Sequence, residues 1–157
     1  MKTRGINFII IMLFTIFYQT FSFAQKNSST TNSIVTNQKL IDSLIFTIDN
    51  NYDILHSDYT PSVHKLSEMG IPAIEAIIPL LSSPKEDTRL HAQRVFEGVI
   101  YKMNGFISGQ GFVDKGGETN ARIVLTSIGY EWNEKDAAKR QIQINNLKKW
   151  VAENQKK

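Results

Sequence analysis

The stretch KLSEMGIPAIEAIIPLLSSPKEDTRLHAQRVFEGVIY, Lys65 to Tyr101, decides the fold. Two apolar runs of helical period flank a short polar break. The first starts at Pro72 and places Ile74, Ile77, Ile78 and Leu81 on one face. Pro79 lies inside it, removing a backbone donor and clashing with the preceding turn, so a bend is expected there. The second run places Leu90, Val95, Phe96, Val99 and Ile100 on one face to about Met103, with Ala92 as a point of close approach. Ser83-Pro84-Lys85-Glu86 between them reads as a capping box with proline at the first helical position. The pattern predicts two neighbouring helices, about 72–82 and 86–103, packed in antiparallel fashion.

Upstream, Thr60 and Pro61 mark a helix start, and Gly70 suits a left-handed stop, with Val63, Leu66 and Met69 as the buried face. Before that, Leu40, Ile41, Leu44, Ile45 and Ile48 predict a helix over about 37–55, with Thr36 as its cap. Downstream, Gly105, Gly109, Gly111, Gly116 and Gly117 crowd into 13 residues and predict a loop or small hairpin, pinned back by Phe106 and Phe112. Residues 119–128 fit helix or strand. Ile123, Val124 and Ile128 favour a helical face, Gly129 a helix stop, and the β-branched content a strand, with helix preferred among helical neighbours. A last helix is expected from Asp136 to Asn154, with Ile142, Leu147, Trp150 and Val151 as a partial stripe and lysines in its final turns.

The N-terminus carries Lys2 and Arg4, then a short apolar core from Phe8 to Tyr18, then Ser22-Phe23-Ala24. A basic start, an apolar core and a small-x-small end describe a signal peptide cleaved after Ala24. As a helix that core reaches about 16 Å, against roughly 30 Å of bilayer hydrocarbon. The rival reading is an uncleaved anchor that uses Gln19, Thr20 and Ser22 as filler. Residues 25–36 are mostly Ser, Thr, Asn and Gln and read as a disordered leader. The expected organisation is therefore a signal peptide at 1–24, a leader at 25–36 and one helical domain at 37–157. Secretion or a periplasmic location follows, with no membrane span once the signal is removed.

The chain has 157 residues and a formal net charge of +3. Charge is uneven: residues 25–134 hold nine Lys/Arg and 13 Asp/Glu, whereas residues 135–157 hold seven and two. There is no cysteine, so an exported domain must hold together by core packing rather than by disulfides.

Lys65–Tyr101 resembles a HEAT repeat. Ile74, Ile77, Ile78, Leu80 and Leu81 match that family's first helix and Pro79 its kink. Thr88-Arg89 stands where its hydrophobic-Arg pair belongs, Ala92 matches its small buried residue, and Val95 and Phe96 match its closing apolar pair. Two positions depart from the pattern: Ser83 stands where the family usually has Asp, and Thr88 where it usually has Val. The likeness covers about 37 residues. It implies an all-α fold, a small HEAT-like α–α hairpin with flanking helices and a Gly-rich loop. Stacked arrays usually need about three or more repeats, so the flanking helices are expected to cap a single pair.

Candidate chemistry is sparse. His64 and Glu68 share a helix face, and Asp53, His56 and Asp58 precede them, so this group is the one candidate metal cluster; a solvated His–Glu pair is the preferred reading. His91 reads as a packed histidine. Ser108 lies in Ile107-Ser108-Gly109-Gln110-Gly111, which is ordinary turn chemistry and lacks the partners of a nucleophile or the lysine of a phosphate loop. Lys135, Lys139, Arg140, Lys148, Lys149, Lys156 and Lys157 form a basic tail, read as a solvated face, and nucleic acid is not an expected partner. Tyr130 and Trp132 are expected to close the core. No catalytic, cofactor-binding or metal-binding residue is assigned. The functional expectation is an exported, non-enzymatic scaffold that binds another macromolecule, a protein by preference. The alternatives are a small metal-dependent or hydrolytic enzyme built on His64, Glu68, His56 and Asp53, or an inhibitor or immunity-type protein.

Overall fold

Thr60 shows how closely the local punctuation is obeyed. Its hydroxyl accepts the Val63 amide at 3.2 Å and opens helix α2, Pro61–Ser67, with proline in the first turn. The same hydroxyl donates to the Ile48 carbonyl at 2.9 Å, fastening α2 to the turn that follows the first helix. The computed structural model describes residues 35–50, 58–131 and 134–155. The segment expected to be a signal peptide and nearly all of the expected leader, together with Asp53, His56, Trp132, Lys156 and Lys157, lie outside the described residues.

The fold is all-α, with a single two-stranded hairpin among the described residues. Helix α1 covers residues 35–46 and ends nine residues before the expected position 55. Thr36 is thus a helical residue rather than a cap, and Val35 and Thr36 belong to a helix rather than to the leader. Gly70, at φ 72°, leads into α3, Ile71–Ile77. At Ile78 the backbone tightens into a 3-10 turn, Ile78–Ser82, the expected response to a proline that cannot donate to the preceding turn.

Helix α4, Glu86–Met103, follows. Ser83 does not build the expected capping box. Its hydroxyl accepts the Lys85 amide at 3.2 Å, and Lys85 itself occupies the cap position without a side-chain bond. Arg89 secures the turn instead, donating to the carbonyls of Ser83 at 2.8 Å and Pro84 at 3.1 Å.

The glycine-rich segment forms the hairpin β1, Phe106–Ile107, and β2, Gly111–Phe112, with Phe106 opposite Phe112. Helix α5, Gly117–Ile128, resolves the helix-or-strand ambiguity as helix, and Gly129 stops it at φ 77°. Helix α6, Ala137–Asn154, is capped by the Asp136 carboxylate, which accepts from Ala138 at 2.8 Å and from Lys139 at 3.3 Å.

Contacts gather Ile41–Lys157 into one compact unit, separate from residues 1–40. In the larger unit α4 is the axis: α2, α3, the 3-10 turn, α5 and β1 all touch it, while α6 closes over α3, the 3-10 turn and α5. Ile74, Ile77, Leu81, Ala92, Val95 and Phe96 are buried where the chain folds back on itself. Two expected faces hold only in part, with Ile128 on α5 and Leu147 and Val151 on α6 buried as expected. Ile123 is 61% exposed and the buried line of α5 is Ala121, Leu125 and Ile128; Ile142 is 60% exposed and that of α6 is Ile144, Leu147 and Val151. Leu40, expected in the first apolar stripe, is exposed too.

Candidate functional site

Helix α4 carries a row of polar residues among its buried ones, and each finds a side-chain or backbone partner. At its N-terminal end Thr88 donates to Asp49 at 2.5 Å, and the His91 Nδ1 lies 2.8 Å from the other Asp49 oxygen. Burial opposes the Asp49 charge, but the bonds from Thr88 and His91 prevail and hold its pKa below the ordinary carboxylate value. An ionised carboxylate only accepts, so Nδ1 carries the proton. His91 is fully buried and cannot reach a substrate, in keeping with the packed role expected for it.

Midway along α4, the Gln93 amide donates to the Glu131 carbonyl at 3.3 Å and faces Gln143 of α6 at 3.5 Å. The next residue opens a charged cluster. Arg94 donates to Asp58 through Nε at 2.6 Å and to Glu97 through Nη1 at 2.5 Å, and its guanidinium lies 5.3 Å from the centre of the Tyr59 ring. Tyr101 donates to the second Glu97 oxygen at 3.0 Å. Burial, helped by Glu97, pushes the Tyr101 hydroxyl up to about 12. Burial likewise raises Tyr59, and raises Tyr130 further. The Tyr130 hydroxyl is buried, and the nearby Glu97 carboxylate adds to its rise. Its ring meets Phe96 edge-on at 5.6 Å, so Tyr130 closes the core as expected.

Beside this cluster a cleft of about 350 Å³ opens between α2, α4 and the hairpin. Tyr59, Tyr101 and Phe106 supply its rings, Ser67 and Gly98 its buried side, and His64, Lys102 and Ser108 its exposed side. Gly98 gives the cleft depth, since a Cβ there would stand 2.6 Å from the Ser67 hydroxyl oxygen. The hairpin is held against α4 by rings. Tyr101, Phe106 and Phe112 meet one another at centroid distances of 5.3 to 5.9 Å, as the pinning role of the two phenylalanines requires.

Of the candidate metal group, only His64, Glu68 and Asp58 lie among the described residues, and each has a partner of its own. His64 stacks on Tyr59 at 5.2 Å, while Glu68 is paired with Lys65 at 2.9 Å and Arg94 claims Asp58. No three potential metal ligands converge among the described residues. Ser108 is exposed in the hairpin turn. On the basic tail Lys135, Lys139, Lys148 and Lys149 are exposed, whereas Arg140 donates to the carbonyls of Glu134 and Lys135, at 3.2 and 2.6 Å. No described helix is long and apolar enough to cross a membrane. Compared with known protein families, with curated proteins and with solved structures, the chain matches none of them.

Proposed function

We propose that the chain is an exported, non-enzymatic helical module of HEAT-like type, and that it binds a protein partner across the cleft between α2, α4 and the hairpin. One observation carries the reading. The cleft is walled by the rings of Tyr59, Tyr101 and Phe106, while the charged groups of the neighbouring cluster are already spent on one another. Large rings at a concave surface are the residue types that anchor interfaces. Arg94, Asp58 and Glu97 form a pre-satisfied support beneath them rather than a set of reactive groups. Two sequence features support the rest of the reading. The N-terminal segment has the signal-peptide form, and the helical pair within Lys65–Tyr101 resembles a HEAT unit with its proline-bent first helix.

The test expresses the full chain with a C-terminal affinity tag in cells, followed by fractionation, cross-linking and identification of captured proteins. The expected outcome is tagged protein outside the cytoplasm, beginning at Gln25, with a partner in roughly one-to-one amount that Ser108→Trp fails to retain. Background proteins only, or a partner retained equally by Ser108→Trp, overturns the proposal.

A further inference from the structure

Lys102, on the exposed side of the cleft, is only loosely paired. Glu68 makes its hydrogen bond to Lys65 at 2.9 Å, leaving the Lys102 ammonium 3.9 Å from the same carboxylate, an ion pair without a hydrogen bond. Two lysines therefore share one acid, and of the three only Lys102 lines the cleft. His64 and Ser108 stand on the same exposed side, and neither side chain makes a hydrogen bond to a described residue. Behind them are three rings, and the volume of about 350 Å³ falls in the range of small-ligand pockets, on the order of 300–1,000 Å³. Tyr101 cannot turn its proton outward, because it is given to Glu97.

From this arrangement we infer that the cleft is a binding site for a ring-bearing carboxylate, with the ring among Tyr59, Tyr101 and Phe106 and the carboxylate on Lys102. Aromatic walls take a ring by face or edge, and a lysine donates to a carboxylate by a charge-assisted bond. Ser108 and His64 supply further donors on the same side. The chemistry has two sources: a free aromatic acid, or the carboxyl-terminal residue of a polypeptide that ends in an aromatic side chain. The inference rests on the reading of the domain as a binding module and gives that module's cleft its ligand chemistry.

The experiment titrates protein purified from full-chain expression with 3-phenylpropionate, with its neutral amide, and with the peptide Gly-Gly-Phe carrying a free or an amidated terminus. Amide-proton shifts in the hairpin report occupancy. The acid is expected to bind, its amide about tenfold or more weakly, as loss of a charge-assisted bond requires. Lys102→Met, at an exposed position, should weaken the acid by a similar factor and leave the amide unchanged. Ser108→Trp should abolish both; circular dichroism confirms that the variants are folded, and Lys102→Met carries the test if Ser108→Trp is not. Free-carboxyl peptide binding at least as tightly as the acid identifies a polypeptide end as the source, and acid binding alone identifies a small ligand; both support the inference. Equal binding of acid and amide, full binding by folded Lys102→Met, or no binding of any probe overturns it. Partner capture by the unliganded protein is read separately, so a partner recovered without probe binding would sink this inference and leave the binding module standing.

Discussion

Gly117 accepts no side chain, although its backbone is ordinary helix. A Cβ there would run into the Asn104 carbonyl and press on the Phe112 ring, because α5 begins where the hairpin returns to the end of α4. Gly117→Ala should therefore destabilise the fold by about 1–3 kcal/mol, the usual cost of overpacking, despite the better helix propensity of alanine. Denaturant unfolding checks this, and a variant as stable as the parent would show that the crossing is loose. Asp49 makes the opposite case, in which the side chain is indispensable. Asp49→Ala takes away the acceptor of the buried Thr88 hydroxyl and should cost about 1–3 kcal/mol. Because the folded-state pKa of Asp49 is depressed, its contribution is present above the unfolded value, about 3.9, and is lost as pH falls through the lower folded value. Stability measured from pH 6 down to pH 2 should thus fall less steeply below about pH 4 in Asp49→Asn than in the parent. Parallel curves would remove Asp49 from the acid response.

At the scale of elements, the hairpin depends on α4. Two residue pairs cannot hold a β-ribbon in water, and its turn offers only Gln110 to Ile107 and Val113 to Gly105 as backbone bonds outside the ladder. The rings of Tyr101, Phe106 and Phe112 supply the rest. Phe112→Ala should release the hairpin while α4 persists, so amides 106–113 should lose hydrogen-exchange protection and those of Val95–Ile100 should keep theirs. Uniform loss would make the hairpin part of the global unit. Elements bounded by proline, glycine or a capping side chain were legible in the chain: Thr60-Pro61, Pro79, Gly129 and Asp136 each act where sequence chemistry puts them. Helix faces were less legible. Helix α5 carries Ile123-Val124-Leu125 in series, and only its neighbours decide that Leu125 turns inward and Ile123 outward. The helix start at Glu86 was legible, but its cap was not: Arg89 secures the turn through the Ser83 and Pro84 carbonyls, and the Ser83 hydroxyl bonds only the Lys85 amide.

Across the whole molecule, the cleft was invisible to periodicity because it is assembled from the approach to α2, the middle and end of α4, and a hairpin. The periodicity marked Ala92 as the close approach on α4, whereas the one that shapes the cleft is Gly98 against Ser67. The same dependence on assembly governs stability. Helix α6 joins the core through Ile144, Leu147 and Val151, and it touches α3, the 3-10 turn and α5, so it links the helical pair to the helix after the hairpin. Leu147 is fully buried there, and Leu147→Ala removes its apolar contacts and opens a cavity that rigid helices can fill only in part. The expected loss is about 2–5 kcal/mol, a large part of the roughly 5–15 kcal/mol that holds an ordinary domain together. Ile142 lies on the same helix, is equally apolar and is 60% exposed, so Ile142→Ala should stay within about 0.5 kcal/mol of the parent. In urea the first variant should shift the midpoint downward with its slope unchanged, because α6 unfolds with the rest. A change of slope, or a separate early transition, would mean that α6 detaches on its own, and equal losses at the two positions would mean that its buried face lies elsewhere.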